Sequence, residues 1–139
     1  MLITDLQPPH YDDAVQLWEA AGLTRPWNDP EADLLRAVQS PSSTVLGGLI
    51  DDELACTAMV GHDGHRGWVY YLAVAEDRRG EGLGGLMMDA CEQWLRRQGA
   101  VKVQLMIRET NTEVLNFYER LGYERSDVEV RAKWLTTDA

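Results

Sequence analysis

The sequence predicts an α/β domain built on a mixed sheet. Three features predict it. Apolar, β-branched and aromatic runs at 44–50, 53–61, 68–74 and 101–107 read as strands. Helical periodicity at i, i+3, i+4 and i+7 fills much of the chain around them. A strand–helix–strand order between Trp68 and Ile107 makes a crossover, right-handed by rule, whose two strands run parallel as near neighbours.

Each element has a local cause. Leu2 to Leu6 alternates weakly and reads as a short strand, ended by Pro8-Pro9. Tyr11, Ala14, Val15, Trp18 and Ala21 form one apolar helical face, and Gly22 is placed to cap that helix. The segment Arg25-Pro26-Trp27-Asn28-Asp29-Pro30 carries two prolines and a large aromatic, a loop of fixed shape. Asn28 or Asp29 caps a helix beginning at Pro30, whose apolar side is Leu34, Leu35 and Val38, and Ser40-Pro41-Ser42 stops it. Asp51-Asp52 joins two strands into a hairpin, and the loop His62-Asp63-Gly64-His65-Arg66-Gly67 follows. Trp68 to Val74 is so continuously hydrophobic that burial on both faces, hence a central place, is expected. A glycine-rich turn then opens a long helix with Leu83, Leu86, Met87, Ala90, Cys91, Trp94 and Leu95 on one face and Gly99 at its end. After the strand at Val101 to Ile107, Asn111 or Thr112 opens a short helix through Leu121. Strand-like segments around Tyr123 to Trp134 complete the reading.

Length and composition narrow the function classes. A chain of 139 residues fits one domain, 1–139, with a core that needs no staple. The formal net charge of −10, with Lys102 and Lys133 the only lysines, disfavours nucleic acid and anionic membrane as partners. An acidic surface favours a cationic acceptor such as an amine, and equally serves solubility. Cys56 and Cys91 have no metal-ligand spacing and sit on apolar faces, which suits a reducing compartment. No signal peptide, membrane span or metal site is expected, and the reading is a cytoplasmic protein, monomer or homodimer.

The turn Arg78-Arg79-Gly80-Glu81-Gly82-Leu83-Gly84-Gly85 carries the chemistry. The start of a helix offers unpaired N–H groups and the positive end of its dipole. Glycines let a diphosphate approach the backbone, and arginines add charge-assisted hydrogen bonds. No Gly-Lys-Ser/Thr follows, which excludes a Walker A loop. Gly80, Gly82 and Gly85 satisfy G-x-G-x-x-G, yet the acid that a dinucleotide fold places about 20 residues on is missing from Gly99-Ala100-Val101-Lys102. A glycine turn with no ligand is the remaining alternative.

Arg79-Gly80-Glu81-Gly82-Leu83-Gly84 resembles the R/Q-x-x-G-x-G/A signature of the GNAT N-acetyltransferases, and Tyr71-Leu72-Ala73-Val74 resembles the strand before it. Asn111 and the segment Asn116-Phe117-Tyr118-Glu119-Arg120-Leu121-Gly122-Tyr123-Glu124 resemble the family's second half. The segments 25–30 and 63–67 look like its small bacterial YpeA-type members. The resemblance implies a mostly antiparallel mixed sheet, splayed between its fourth and fifth strands and flanked by helices. It implies acetyl-CoA as donor, with pantetheine along the main chain of Leu72 and Val74 and pyrophosphate held by Arg79, Gly80, Gly82, Leu83, Gly84 and Gly85. Asn111 reaches the pantetheine arm. Tyr118 is the family's general-acid position, and packing on a helix face with Val114 and Leu121 is the structural alternative.

Acyl transfer from a thioester to an amine needs a base, an oxyanion donor and a proton for the leaving thiolate. The N–H of Val74 suits the oxyanion. Positions at which relatives carry a basic carboxylate hold Trp68 and Met106 here. Glu109 is a candidate base, as is a histidine of the loop His62-Asp63-Gly64-His65, such as His65, acting directly or through water. Solvent alone is the alternative. His62 and Asp63 are placed to meet the acceptor. Trp27, Asn28 and Asp29 suit a cationic acceptor through ring and carboxylate, or else plug the core and cap a helix. The acceptor is a small molecule or a protein amine, and a non-catalytic acetyl-CoA sensor is the alternative function.

Overall fold

The computed structural model describes residues 1–136, which fall into two compact units, Met1–Leu105 and a second beginning at Met106. The first holds strand β1 (Leu2–Asp5), helices α1 (Tyr11–Ala20) and α2 (Pro30–Gln39), strands β2 (Ser43–Ile50), β3 (Glu53–His62) and β4 (Gly67–Val74), helix α3 (Leu83–Arg97) and the short strand β5 (Val103–Gln104). The second holds helix α4 (Thr112–Arg120).

The sheet order is β1-β2-β3-β4-β5. The first three pairings are antiparallel and β4–β5 is parallel. The expected hairpin is present. Its turn residues Asp51 and Asp52 have φ of +52° and +64°, the left-handed pair that a two-residue hairpin loop needs and that aspartate tolerates better than most side chains.

Two helices cover one face of the sheet. Trp18 and Ala14 of α1 and Leu34 and Ala37 of α2 are buried with Leu6, Val45 and Ala73. Asp29 caps α2 by accepting from the Ala32 N–H at 3.1 Å, and Pro30 stands in its first turn. The other face belongs to α3, whose Met87, Met88, Cys91 and Leu95 are buried. There the backbone of Gly67 comes so close that a Cβ would stand 2.6 Å from Leu95 Cδ1. Both cysteines are free buried thiols, and desolvation pushes Cys56 up to about 11 and Cys91 to about 12.

Three expectations need correction. The strand expected over 101–107 is ordered as β only at Val103–Gln104. Consequently β4 lies between β3 and β5 but is flanked on both edges only at its beginning. Its faces are not fully buried, since Tyr70 lines an open groove and is 44% exposed. Strands expected around Tyr123 to Trp134 are absent among the described residues. Alternating apolar residues make a strand only with a ladder partner, and the second unit contains one helix and no partner strand among its described residues.

Candidate functional site

The β4–β5 ladder has two residue pairs, Gly67↔Val103 and Trp68↔Gln104. Within the first unit no pair covers β4 from Val69 to Val74 on that edge. The direction of its main chain follows from two hydrogen bonds. The Gly67 N–H donates outward, to the Lys102 carbonyl at 2.8 Å, and the Ala75 N–H donates inward, to the Ala55 carbonyl of β3 at 2.8 Å. Alternation back from Ala75 turns the N–H and C=O of Val74 and Leu72 outward, onto the unpaired edge. An extended ligand can add there as a strand does.

Beyond β4 the chain makes a short 3-10 turn, Glu76–Arg78, and then the glycine turn. Gly80 and Gly82 have φ of +83° and +79°. A Cβ on either would meet nothing within 4 Å, so the backbone conformation, not crowding by protein, is what calls for glycine there. Gly82 is the N-cap of α3 and supplies no side-chain acceptor. The first turn of α3 contains no acidic residue, whereas α1, α2 and α4 each carry at least one. The N–H groups of the α3 first turn, with Leu83 and Gly84 buried and Gly85 half-buried, therefore form the positive end of a dipole that no carboxylate of its own turn offsets. Arg79 is exposed, and Arg78 lies 3.8 Å from Glu81 in a solvent-facing ion pair.

On the face covered by α1 and α2, an open groove of about 420 Å³ runs between α2 and the beginning of β4. Asp33, Arg36, His62, Asp63, Trp68 and Tyr70 line it. Of the residues expected to meet an acceptor, His62 and Asp63 belong to this groove, while Trp27, Asn28 and Asp29 are outside its lining. The His62 ring lies 6.2 Å from that of Trp94 on α3. Trp27 is 47% exposed, and Asp29 spends one oxygen on the α2 cap.

Asp63 organises the hairpin turn. Its Oδ1 accepts the N–H of Arg66 at 2.7 Å and of His65 at 2.8 Å, and its Oδ2 accepts Trp68 Nε1–H at 3.2 Å. The Arg66 N–H, then the His65 N–H and the Trp68 indole, hold its carboxyl down at about 2. It is thus an ionised acceptor at neutral pH, with both oxygens engaged. His65 is exposed on the same turn.

Tyr71, singled out in the sequence only as part of a strand motif, is a hub. Its ring stacks on Trp18 at 4.1 Å and its hydroxyl donates to Asp33 at 2.8 Å. Burial, then the hydrogen bond to Asp33, pushes the phenol far above its ordinary value. The sequence hint was the pair Tyr70-Tyr71, two large rings in a row on a strand, which strict alternation would send to opposite faces.

In the second unit, Asn111 caps α4 through its Oδ1, which accepts the Val114 N–H at 3.3 Å. A contact from Asn111 to a ligand therefore falls to its amide N–H groups. Tyr118 is buried on α4, its ring edge-on to Phe117 at 4.9 Å and to Tyr123 at 5.5 Å. Glu109 is exposed before the helix. Among the described residues no group of three or more His, Cys, Asp or Glu stands together as a metal site, and no helix is long and apolar enough to cross a membrane.

The sequence profile of the acetyltransferase (GNAT) family matches residues 11–123. Several solved structures are similar over nearly their whole length. A variant of the BH1408 protein from Bacillus halodurans is 20% identical, with a TM-score of 0.76 over 97% of this chain and 100% of that one. The aminoglycoside 6'-N-acetyltransferase AAC(6')-IG from Acinetobacter haemolyticus is 15% identical, with a TM-score of 0.77 over 98% and 99%. AAC(6')-Iy, in complex with a bisubstrate analogue of CoA and acetylneamine, is 14% identical, with a TM-score of 0.82 over 97% and 98%. At these identities the structural likeness establishes the fold.

Proposed function

This chain belongs to the GNAT acetyltransferase family, and from that premise we propose that it transfers the acetyl group of acetyl-CoA to a cationic amine by direct attack in a ternary complex. The observation that carries the proposal is the continuity of two features: an outward-facing, unpaired edge at Leu72 and Val74, followed by a helix start with no carboxylate of its own. Pantetheine pairs with the main chain of Leu72 and the carbonyl of Val74. Arg79, Gly80, Gly82, Leu83, Gly84 and Gly85 hold the pyrophosphate, and Asn111 donates to the arm.

The amine nitrogen attacks the thioester carbonyl carbon, the Val74 N–H stabilises the oxyanion by ~2.7–4 kcal/mol, and the C–S bond breaks. Tyr118 gives its proton to the departing thiolate, an effect of about 10²–10⁴-fold in rate. Glu109 and His65 are the two side-chain candidates for taking the amine's proton, and each can do so through a water. His65→Ala and Glu109→Gln, measured across pH, assign that step to whichever variant loses kcat.

The acceptor approaches along the groove of Asp33, Asp63, Trp68 and Tyr70. Trp27, Asn28 and Asp29, outside that lining, are the second candidate contact, through ring and carboxylate. Two carboxylates among aromatic rings favour a cation, whereas Arg36 disfavours an acceptor of concentrated charge at its own end. A polyamine or an amino sugar fits that pattern, and two of the similar structures are named for aminoglycoside or acetylneamine chemistry. The segments at 25–30 and 63–67 support a place in the small YpeA-type branch, and two buried free thiols support a reducing cytoplasm. The test is CoA thiol release from acetyl-CoA by the full chain against a panel of polyamines, amino sugars and peptide amines. Turnover on the polycations is expected. Tight acetyl-CoA binding with no turnover on any amine would make the protein a sensor.

A further inference from the structure

We propose that Trp18, Asp33, Thr57 and Tyr71 form a clamp that positions the outer edge of β4 for the pantetheine arm, with Thr57 and Tyr71 as its positioning residues; the proposal rests on the acetyl-CoA reading above. The reason is one of parity. Gly67 points its N–H outward and Ala75 points its own inward, although an unbroken strand would give these two odd-numbered residues the same direction. The switch occurs where Met59 pairs with Tyr70 and Thr57 pairs with Ala73, so that Tyr71 and Leu72 together face Ala58. This is a β-bulge with its extra residue on β4. Without it, Leu72 and Val74 would turn their N–H and C=O groups toward β3, and the open edge would present different residues.

The bulge is held against its own cost. Tyr71 has φ of +54°, a left-handed conformation that a bulky side chain adopts only under compulsion. Its carbonyl, turned out of the ladder, accepts from Thr57 Oγ1 at 3.2 Å. That hydroxyl is fully buried and accepts in turn from Trp18 Nε1–H at 2.8 Å. The Tyr71 ring lies flat on Trp18, and its hydroxyl reaches Asp33 on α2. Three contacts, from two helices and a neighbouring strand, converge on one residue, and that residue sets the direction of the main chain beside it. Asp33 also lines the acceptor groove, so one carboxylate belongs to both halves of the proposed site.

The test is calorimetric binding of two probes to the full chain: acetyl-CoA, which carries pantetheine, and ADP, which offers a diphosphate without it. Thr57→Val keeps the shape and removes the hydroxyl, and Thr57→Ser keeps the hydroxyl. Thr57→Val is expected to weaken acetyl-CoA about tenfold, the loss of one or two main-chain hydrogen bonds, while ADP affinity holds within about twofold. Thr57→Ser restores acetyl-CoA. Should Thr57→Val fail to fold, Tyr71→Phe, which keeps the stack and drops only the Asp33 bond, carries the same comparison. Equal loss of both probes, or unchanged acetyl-CoA binding in the folded variant, overturns the clamp. A wild-type chain that binds neither probe overturns the acetyl-CoA reading itself.

Discussion

Four glycines allow a controlled test of the cradle. Gly80 and Gly82 lie in the turn before α3, Gly22 follows α1 and Gly99 follows α3, with φ between +73° and +84°. At all four an added Cβ would meet no protein atom within 4 Å. Alanine at Gly22, Gly82 or Gly99 therefore brings the same backbone strain, ~1–2 kcal/mol, and lowers Tm by about 5 °C. The three variants part company only if a ligand occupies the open space at Gly82. There a Cβ displaces a diphosphate from the α3 N–H groups, and one charge-assisted hydrogen bond is worth ~1.5–3 kcal/mol, tenfold or more in affinity. Gly99 stands at the other end of α3, ~22 Å away along 15 residues. Thermal melts establish the matched strain, and calorimetry with CoA reads the difference. Gly82→Ala that binds CoA as well as Gly22→Ala and Gly99→Ala would refute the cradle.

Further variants probe other links. Tyr118→Phe should lower kcat by about 10²–10⁴-fold with CoA affinity nearly unchanged; full activity removes Tyr118 from the mechanism. Gly67→Ala drives a Cβ to 2.6 Å from Leu95, a side chain 3% exposed with little room to yield. It should cost about 1–3 kcal/mol by overpacking, read by denaturant midpoint. Asp63 titrates at about 2 in the fold against an ordinary 3.8, so its contribution to stability is present above pH 3.8 and is lost as pH falls toward 2. Asp63→Asn should flatten that part of the Tm–pH curve. The buried thiols have raised values, about 11 and 12, so Cys56 and Cys91 should react with a disulfide reagent at pH 8 only upon unfolding.

The helices, the hairpin and the glycine turn were legible because each has a local signature: period, cap, and residues suited to positive φ. Side-chain chemistry alone narrows each cap to two residues, Asn28 or Asp29 for α2 and Asn111 or Thr112 for α4, and the fold uses Asp29 and Asn111. The bulge at Tyr71 was not legible, since a run such as Trp68 to Val74 has no alternation whose interruption could be seen. Its cause lies in Trp18, Asp33 and Thr57, distant in sequence and joined only by the fold. For the same reason the groove beside α2 drew only His62 and Asp63 from the sequence, while Asp33, Trp68 and Tyr70 came from tertiary packing. The length of β5 and the fate of 123–134 were misjudged because strand formation depends on a partner that propensity does not specify.

The central claim is that acetyl-CoA lies along the outer edge of β4 and ends on the first turn of α3. Titrating acetyl-CoA into isotope-labelled protein and following backbone amides by NMR tests it most directly. Saturable shifts should concentrate on Leu72, Val74 and Gly80 to Gly85, with the amides of Gly22 and Gly99 unmoved. Saturable binding that leaves Leu83, Gly84 and Gly85 unshifted would contradict the account.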